Sequence, residues 1–192
     1  MLSRMKTHPY LKVITAVCVG ALASCASQPQ TTRMPMSASL HPESSLSGQV
    51  FQEVNSYRRK LGKSELERHS GLDRLAQEHC EYLRQHRGSF DIYGKNVSHF
   101  GFEGRALYAR EAYQMQSVSE NVASANHPGE AQAPLLVKLW AASKGHEYNM
   151  HGDWTHTGVG SVTDSDGTVF CTQLFATITY SQLTTRDRFN RF

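Results

Sequence analysis

The chain has 192 residues, 19% of them charged and 39% hydrophobic, with 20 Lys+Arg against 17 Asp+Glu. Three of the basic residues (Arg4, Lys6, Lys12) sit in the opening segment, so the remainder balances at 17 against 17. That leaves no net positive field to draw in nucleic acid, and this partner class is excluded.

Those basic residues precede Val13-Ile-Thr-Ala-Val-Cys-Val-Gly-Ala-Leu-Ala23, an apolar run too short to span a bilayer as an ordinary helix. The run ends in Leu22-Ala23-Ser24-Cys25, which reads as a lipoprotein cleavage box. Residues 1–24 are expected to be a signal peptide, and Cys25 to be lipidated. Two acyl chains, at about 0.8 kcal/mol per buried methylene, would make a stable membrane anchor. The plainer alternative is a secretory signal cut elsewhere. Ala26, where an Asp would signal retention, points to the outer membrane of a bacterial cell envelope, if the host has one. Residues 25–46 are rich in Ser, Pro, Gln, Thr and Met, bury too little to offset the entropy of ordering, and are expected to be a flexible linker.

The globular part is expected over residues 47–180, with 181–192 a loose tail. Ser47 is a candidate N-cap, with Leu46 and Phe51 placed as a hydrophobic staple. Val50, Val54, Tyr57 and Leu61 then recur at helical spacing up to Gly62. Ser70-Gly-Leu-Asp73 announces a second helix, whose apolar face is Leu72, Leu75, Ala76, His79 and Leu83 and whose end is Gly88. Residues 89–98 read as a loop containing the sequon Asn96-Val-Ser98. A weaker helix covers Arg105 to Tyr113. Another starts near Pro134 and stops at Gly145, which would leave His146 on irregular chain. Thr157–Thr163 and Thr168–Ile178 read as two strands joined by Asp164-Ser-Asp-Gly167. Helices early and a hairpin late give an α+β fold class.

His99, Glu120-Asn-Val-Ala, Trp140-x-x-Ser-x-Gly-His146-x-x-Asn149 and His156-x-Gly-Val-Gly160 occur in a fixed order. With Val54-Asn55-x-x-Arg58 and Leu75-Ala-x-x-His79, this set resembles the bacterial branch of the CAP superfamily of SCP-like, cysteine-rich secretory and pathogenesis-related proteins. The resemblance implies a three-layer α-β-α sandwich and a cleft lined by His99, Glu120 and His146. It also implies a second acid three residues after Trp140, where this chain has Ser143. Asn121, Asn149 and His156 are expected to tie loops to the sheet, Trp140 to be core, and Arg58 to be a surface or bridging residue.

His99, Glu120 and His146 could form a metal site: two imidazoles and a carboxylate with an open position suit zinc. The same three groups could equally hold one another by hydrogen bonds. His146 and His151 are five apart, as are His151 and His156, so the zinc-protease motif with histidines four apart on one helix is rejected. There is no nucleophile elbow, and Cys80 and Cys171 are poor nucleophile candidates. Those two cysteines could form a disulfide worth about 3–5 kcal/mol in the chain-entropy model, or remain buried thiols.

Two functions remain. One is a binding module of the envelope, held by its lipid and taking a divalent metal, a small ligand, a lipid or an envelope component in the cleft. The other is a hydrolase of envelope peptide or glycan with Glu120 and a histidine as an acid–base pair. Glycoside hydrolysis wants two carboxylates, and Ser143 weighs against it.

Overall fold

The computed structural model describes residues 45–88, 98–127 and 130–178. The signal segment, Cys25, the linker up to residue 44, Asn96 and the tail from 181 fall outside the described residues. Among the described residues no helix is long and apolar enough to cross a membrane.

The chain order is α1 (Leu46–Lys60), β1 (Glu67–Arg68), α2 (Ser70–Gln85), α3 (Phe102–Tyr113), β2 (Ser117–Ala125), α4 (Gln132–Ala141), α5 (Lys144–His151), β3 (His156–Thr163) and β4 (Val169–Thr177). Ser45, not Ser47, caps α1, its hydroxyl accepting from Gly48 N at 3.1 Å. His69 rather than Ser70 caps α2, its ring Nδ1 accepting from Leu72 N at 3.3 Å. Both helices therefore begin slightly earlier than the Ser-based signals place them.

The strands form one sheet in the order β1-β3-β4-β2. β4 runs antiparallel to both β2 and β3, and β1 lies parallel to β3. Along β4 the side chains alternate between two helical layers. Val169, Cys171 and Phe175 pack with Val50 and Val54 of α1 and Leu136 and Trp140 of α4. Leu174 and Ala176 pack with Leu72, Leu75 and Ala76 of α2, and Phe170 packs with Cys80 and Leu83. A strand covered on both faces is expected to be apolar throughout, and β4 is buried from Val169 to Ala176. The architecture is the three-layer α-β-α sandwich.

The same alternation answers the cysteine question. Cys171 faces α1 and α4, Cys80 lies in the α2 layer, and both are free and buried. The proposed bridge is not formed, because the sheet lies between the two side chains. Burial pushes the Cys80 thiol up to about 12 and the Cys171 thiol well above its usual value. Neither is a nucleophile.

Three elements differ from the sequence expectation. Neither the two-residue β1 nor β2 was foreseen as a strand. The helix through Trp140 ends at Ala141, and a separate helix α5 begins at Lys144. Gly145 lies inside α5 and is not among the glycines with positive φ. His146 therefore stands in the first turn of a helix, not on irregular chain.

Helix α2 approaches β3 with no side chain between them. A Cβ on Gly158 would lie 2.2 Å from Asp73 N, and one on Gly160 2.2 Å from Gln77 N. From that position Asp73 Oδ1 accepts from Val159 N at 2.8 Å and Gln77 Oε1 from Ser161 N at 3.0 Å. These contacts are with backbone, which cannot swing aside. Gly160→Val should lower stability by about 3 kcal/mol or more, read from a urea midpoint or from loss of soluble protein. Gly145→Ala, where an added Cβ meets nothing within 4 Å, should instead add about 0.5–1 kcal/mol. Equal effects of the two substitutions would contradict the close approach.

Candidate functional site

Glu120 is on β2, the strand at one end of the sheet order, and its register partner is Leu174. It therefore points into the layer of α2 and α3, while its neighbour Asn121, opposite Gln173, points into the layer of α4 and α5. Consecutive residues of one strand thus serve opposite faces.

On the α3 side, the Glu120 side chain is only 1% exposed and faces Arg105, which is 13% exposed. Arg105 Nε donates to Oε2 at 2.8 Å and Nη2 to Oε1 at 2.9 Å. His99 Nδ1–H donates to Oε1, also at 2.9 Å. This fixes the His99 tautomer, leaving Nε2 as an acceptor on a side chain that is 52% exposed. The turn bearing His99 is itself held. Phe100 N donates to Ser98 Oγ at 3.0 Å, Arg105 Nη1 to Phe100 O at 3.0 Å, and the buried His79 Nε2–H to Ser98 O at 2.7 Å. Gly101, at φ 76°, lets the chain turn directly into α3.

On the other side, His146 is half-buried. Asn121 Nδ2 donates to His146 O at 3.0 Å, and Asn149 Nδ2 donates to Asn121 Oδ1 at 2.9 Å and Glu120 O at 3.1 Å. Trp154 Nε1 donates to Asn149 O at 2.7 Å, closing the chain of bonds. The two imidazoles meet across the β2 edge with ring centroids 6.0 Å apart.

His99, Glu120 and His146 are thus brought together, as the resemblance implies. Their roles differ from the three-ligand metal set. Among the described residues no group of three His, Cys, Asp or Glu is arranged to hold a metal. The physical reason is Arg105: a guanidinium takes both oxygens of Glu120, which is left as the group that orients His99. Asn121 and Asn149 make ties to the sheet as expected, but what they tie to β2 is helix α5 and not a loop. His156 is buried and hydrogen-bonds Thr155 Oγ1 through Nδ1 at 2.9 Å. His151, in the last turn of α5, lies beside Tyr57, ring centroids 5.9 Å apart. Ser143, in the place of the second acid, is the N-cap residue of α5 and makes no side-chain cap bond.

Sequence reasoning missed Arg105 as a site residue and took His79 as part of a helix face and of a family motif, not as a support of the cleft. The available signal was the acid itself, since a buried carboxylate requires a cation or several donors.

Burial, with the charge of His99 adding to it, lowers the pKa of His146. Burial also lowers that of His79, with Glu120 opposing and Arg105 reinforcing the shift. Both rings stay neutral in the fold at pH values where the unfolded chain, with histidines near about 6.5, takes up protons. The native state then binds fewer protons, so this stability is present above pH ~6.5 and is lost as pH falls below it. Thermal melts should show Tm falling between roughly pH 7.5 and 5.5, with a smaller fall in His146→Gln. A flat profile would contradict buried neutral imidazoles.

Known proteins are similar to this chain in fold and family. Residues 51–175 match the family model described as CAP, the cysteine-rich secretory protein family. No curated protein sequence matches the chain significantly. Among solved structures, an outer surface protein of Borrelia burgdorferi is similar at 19% identity and TM-score 0.55, covering 71% of this chain and 96% of that one. An extracellular SCP-domain protein of Bacillus anthracis is similar at 23% identity and TM-score 0.52, covering 69% of this chain but only 40% of that longer one. At these identities the two structures speak for the fold. With the family model spanning most of the described domain, the chain belongs to the CAP, or cysteine-rich secretory protein, family.

Proposed function

We propose that this CAP domain is a binding module of a bacterial envelope, anchored through Cys25, and that the His99–His146 cleft takes its ligand. The observation that carries the reading is the state of Glu120. Its side chain is 1% exposed, and its oxygens accept from Arg105 and His99. A general acid or base must reach the proton it transfers, and this carboxylate reaches its own neighbours instead. Ser143 supplies no second carboxylate.

What faces outward is a pair of acceptors. Among the described residues, His99 Nε2 and the ring nitrogens of His146 have no hydrogen-bond partner. Two imidazoles with their lone pairs open suit a divalent metal, or a ligand that brings N–H or O–H donors. Zn–N bonds of about 2.0–2.1 Å can be met by two rings facing each other at this separation. Glu120 would act on such an ion only through His99, raising the basicity of that ring.

Calorimetric titration of the chelator-treated protein with Zn²⁺ should give one site that is lost in His99→Ala and in His146→Ala. Glu120→Gln should weaken it by about 10–100-fold, in keeping with an orienting group. Undiminished binding by both histidine variants would place any metal elsewhere. Turnover of envelope peptide or glycan that disappears in Glu120→Ala would put the hydrolase reading ahead of the binding one.

The anchor is tested separately. The mature chain should begin at a lipid-modified Cys25, and Cys25→Ser should leave it unprocessed or released from membranes. A Ser variant that is cleaved normally and still sediments with membranes would remove the lipoprotein reading.

A further inference from the structure

A second cleft, with a volume of 580 Å³, opens between the end of α1, β1 and the loop entering β3. Neither His99, Glu120 nor His146 lines it. Arg58 lies in its floor, and Trp154 forms a wall. The Trp154 ring is held in place by its bond to Asn149 O and by its packing over Gly152 and near Phe175.

Arg58 is 1% exposed. Its Nε donates to Ser64 O at 3.0 Å, and Nη1 donates to Met150 O at 2.7 Å and Gly152 O at 2.9 Å. Nη2 has no partner. Burial lowers the Arg58 pKa, and the charge of Asp153 partly restores it; the guanidinium remains a cation. With Nε and Nη1 committed to three carbonyls, the two Nη2 hydrogens are the part of this otherwise buried cation left open to solvent and to an incoming acceptor. Those hydrogens adjoin the cleft that Arg58 lines.

The rim carries Glu65, Glu67 and Asp153 beside Lys63. Glu65 pairs with Arg59 at 2.7 Å, and Glu67 lies 3.7 Å from His156. Asp153 is 93% exposed and pairs with Lys63 at 3.0 Å. A lone positive group at the floor accepts a carboxylate, whose planar oxygens suit a guanidinium edge. The rim carboxylates, even where paired, offer oxygens to an ammonium and none to a dianion such as phosphate. We propose that this cleft binds a small dipolar ligand of the amino-acid or short-peptide class. Its carboxylate points inward to Arg58 Nη2, its ammonium lies toward the acidic rim, and its side chain rests on Trp154.

The test uses the 192-residue chain carrying Cys25→Ser, labelled with ¹⁵N and titrated with alanyl-alanine. Two derivatives (its C-terminal amide and its N-acetyl form) and inorganic phosphate are run alongside, and free alanine separates the amino-acid source from the peptide one. The dipeptide should shift the amide signals of residues 62–65 and 153–155 saturably. The amide derivative should bind at least about tenfold more weakly, because it lacks the charge that Arg58 meets. The N-acetyl form should also bind more weakly. Arg58→Lys is the direct variant, but Arg58 also ties three carbonyls together and its loss can unfold the chain. Ser64→Trp, at an exposed position lining the mouth, should abolish the shifts in a protein that still gives a folded spectrum. His99→Ala should leave them unchanged, which separates this cleft from the metal reading. No saturable shift in the folded protein, equal response to dipeptide and amide, or a response to phosphate alone would overturn the proposal.

Discussion

Backbone lies on backbone where α2 crosses β3, and most of the domain takes its position from that contact. Two absent side chains, at Gly158 and Gly160, let the helix descend onto the sheet. Asp73 and Gln77 can then supply acceptors to the amides of Val159 and Ser161. Those amides lie beyond the two-residue β1, so the helix completes hydrogen bonding that a longer strand would otherwise provide. Further along α2, His79 is set at the depth from which it holds Ser98. The position of His99 is thus inherited in part from a pair of glycines far downstream in the sequence.

The cleft adds a second constraint, electrostatic rather than steric. A buried pair such as Arg105 and Glu120 contributes little net stability, because desolvation offsets most of the attraction. What it contributes is geometry: a forked guanidinium permits one orientation of the carboxylate, and the carboxylate permits one tautomer of His99. The partner ring, His146, rides on α5, eight residues long and too short to be helical alone. Side chains from elsewhere hold that helix. Asn121 takes a carbonyl in its first turn, and Arg58 takes the carbonyls of Met150 and Gly152 at its end. The two imidazoles therefore face each other because α1, β2 and α3 each grip backbone.

Much of this was legible in the sequence, and the gaps have physical causes. The α2 face and the β3–β4 hairpin follow simple periodicity, and the structure reproduces both. The approach of His99, Glu120 and His146 came from the ordered set of motifs. Strand β2 was hidden because Ser117-Val-Ser-Glu-Asn-Val-Ala-Ser-Ala125 places buried polar groups on both faces, where an apolar alternation would be sought. Glu120 and Asn121 are buried through partners far away in sequence, which no local pattern announces. Helix α5 was hidden because a lysine followed by glycine is a common helix ending, whereas here the pair begins a helix. Arg105 was passed over for the converse reason. Its helix has little apolar face, and the value of a lone arginine appears only once the acid opposite it is known to be buried.

The placement of Cys80 and Cys171 on opposite sides of the sheet has a consequence for where this fold can be made. The family's description speaks of abundant cysteine, yet the described domain is held by its apolar layers and closes no covalent loop. A reductant has no bond in it to break, and an oxidant finds two thiols whose burial keeps them protonated. Folding on either side of a membrane, with or without disulfide-forming machinery, ends in the same covalent structure. The domain is indifferent to the redox state of the compartment that receives it.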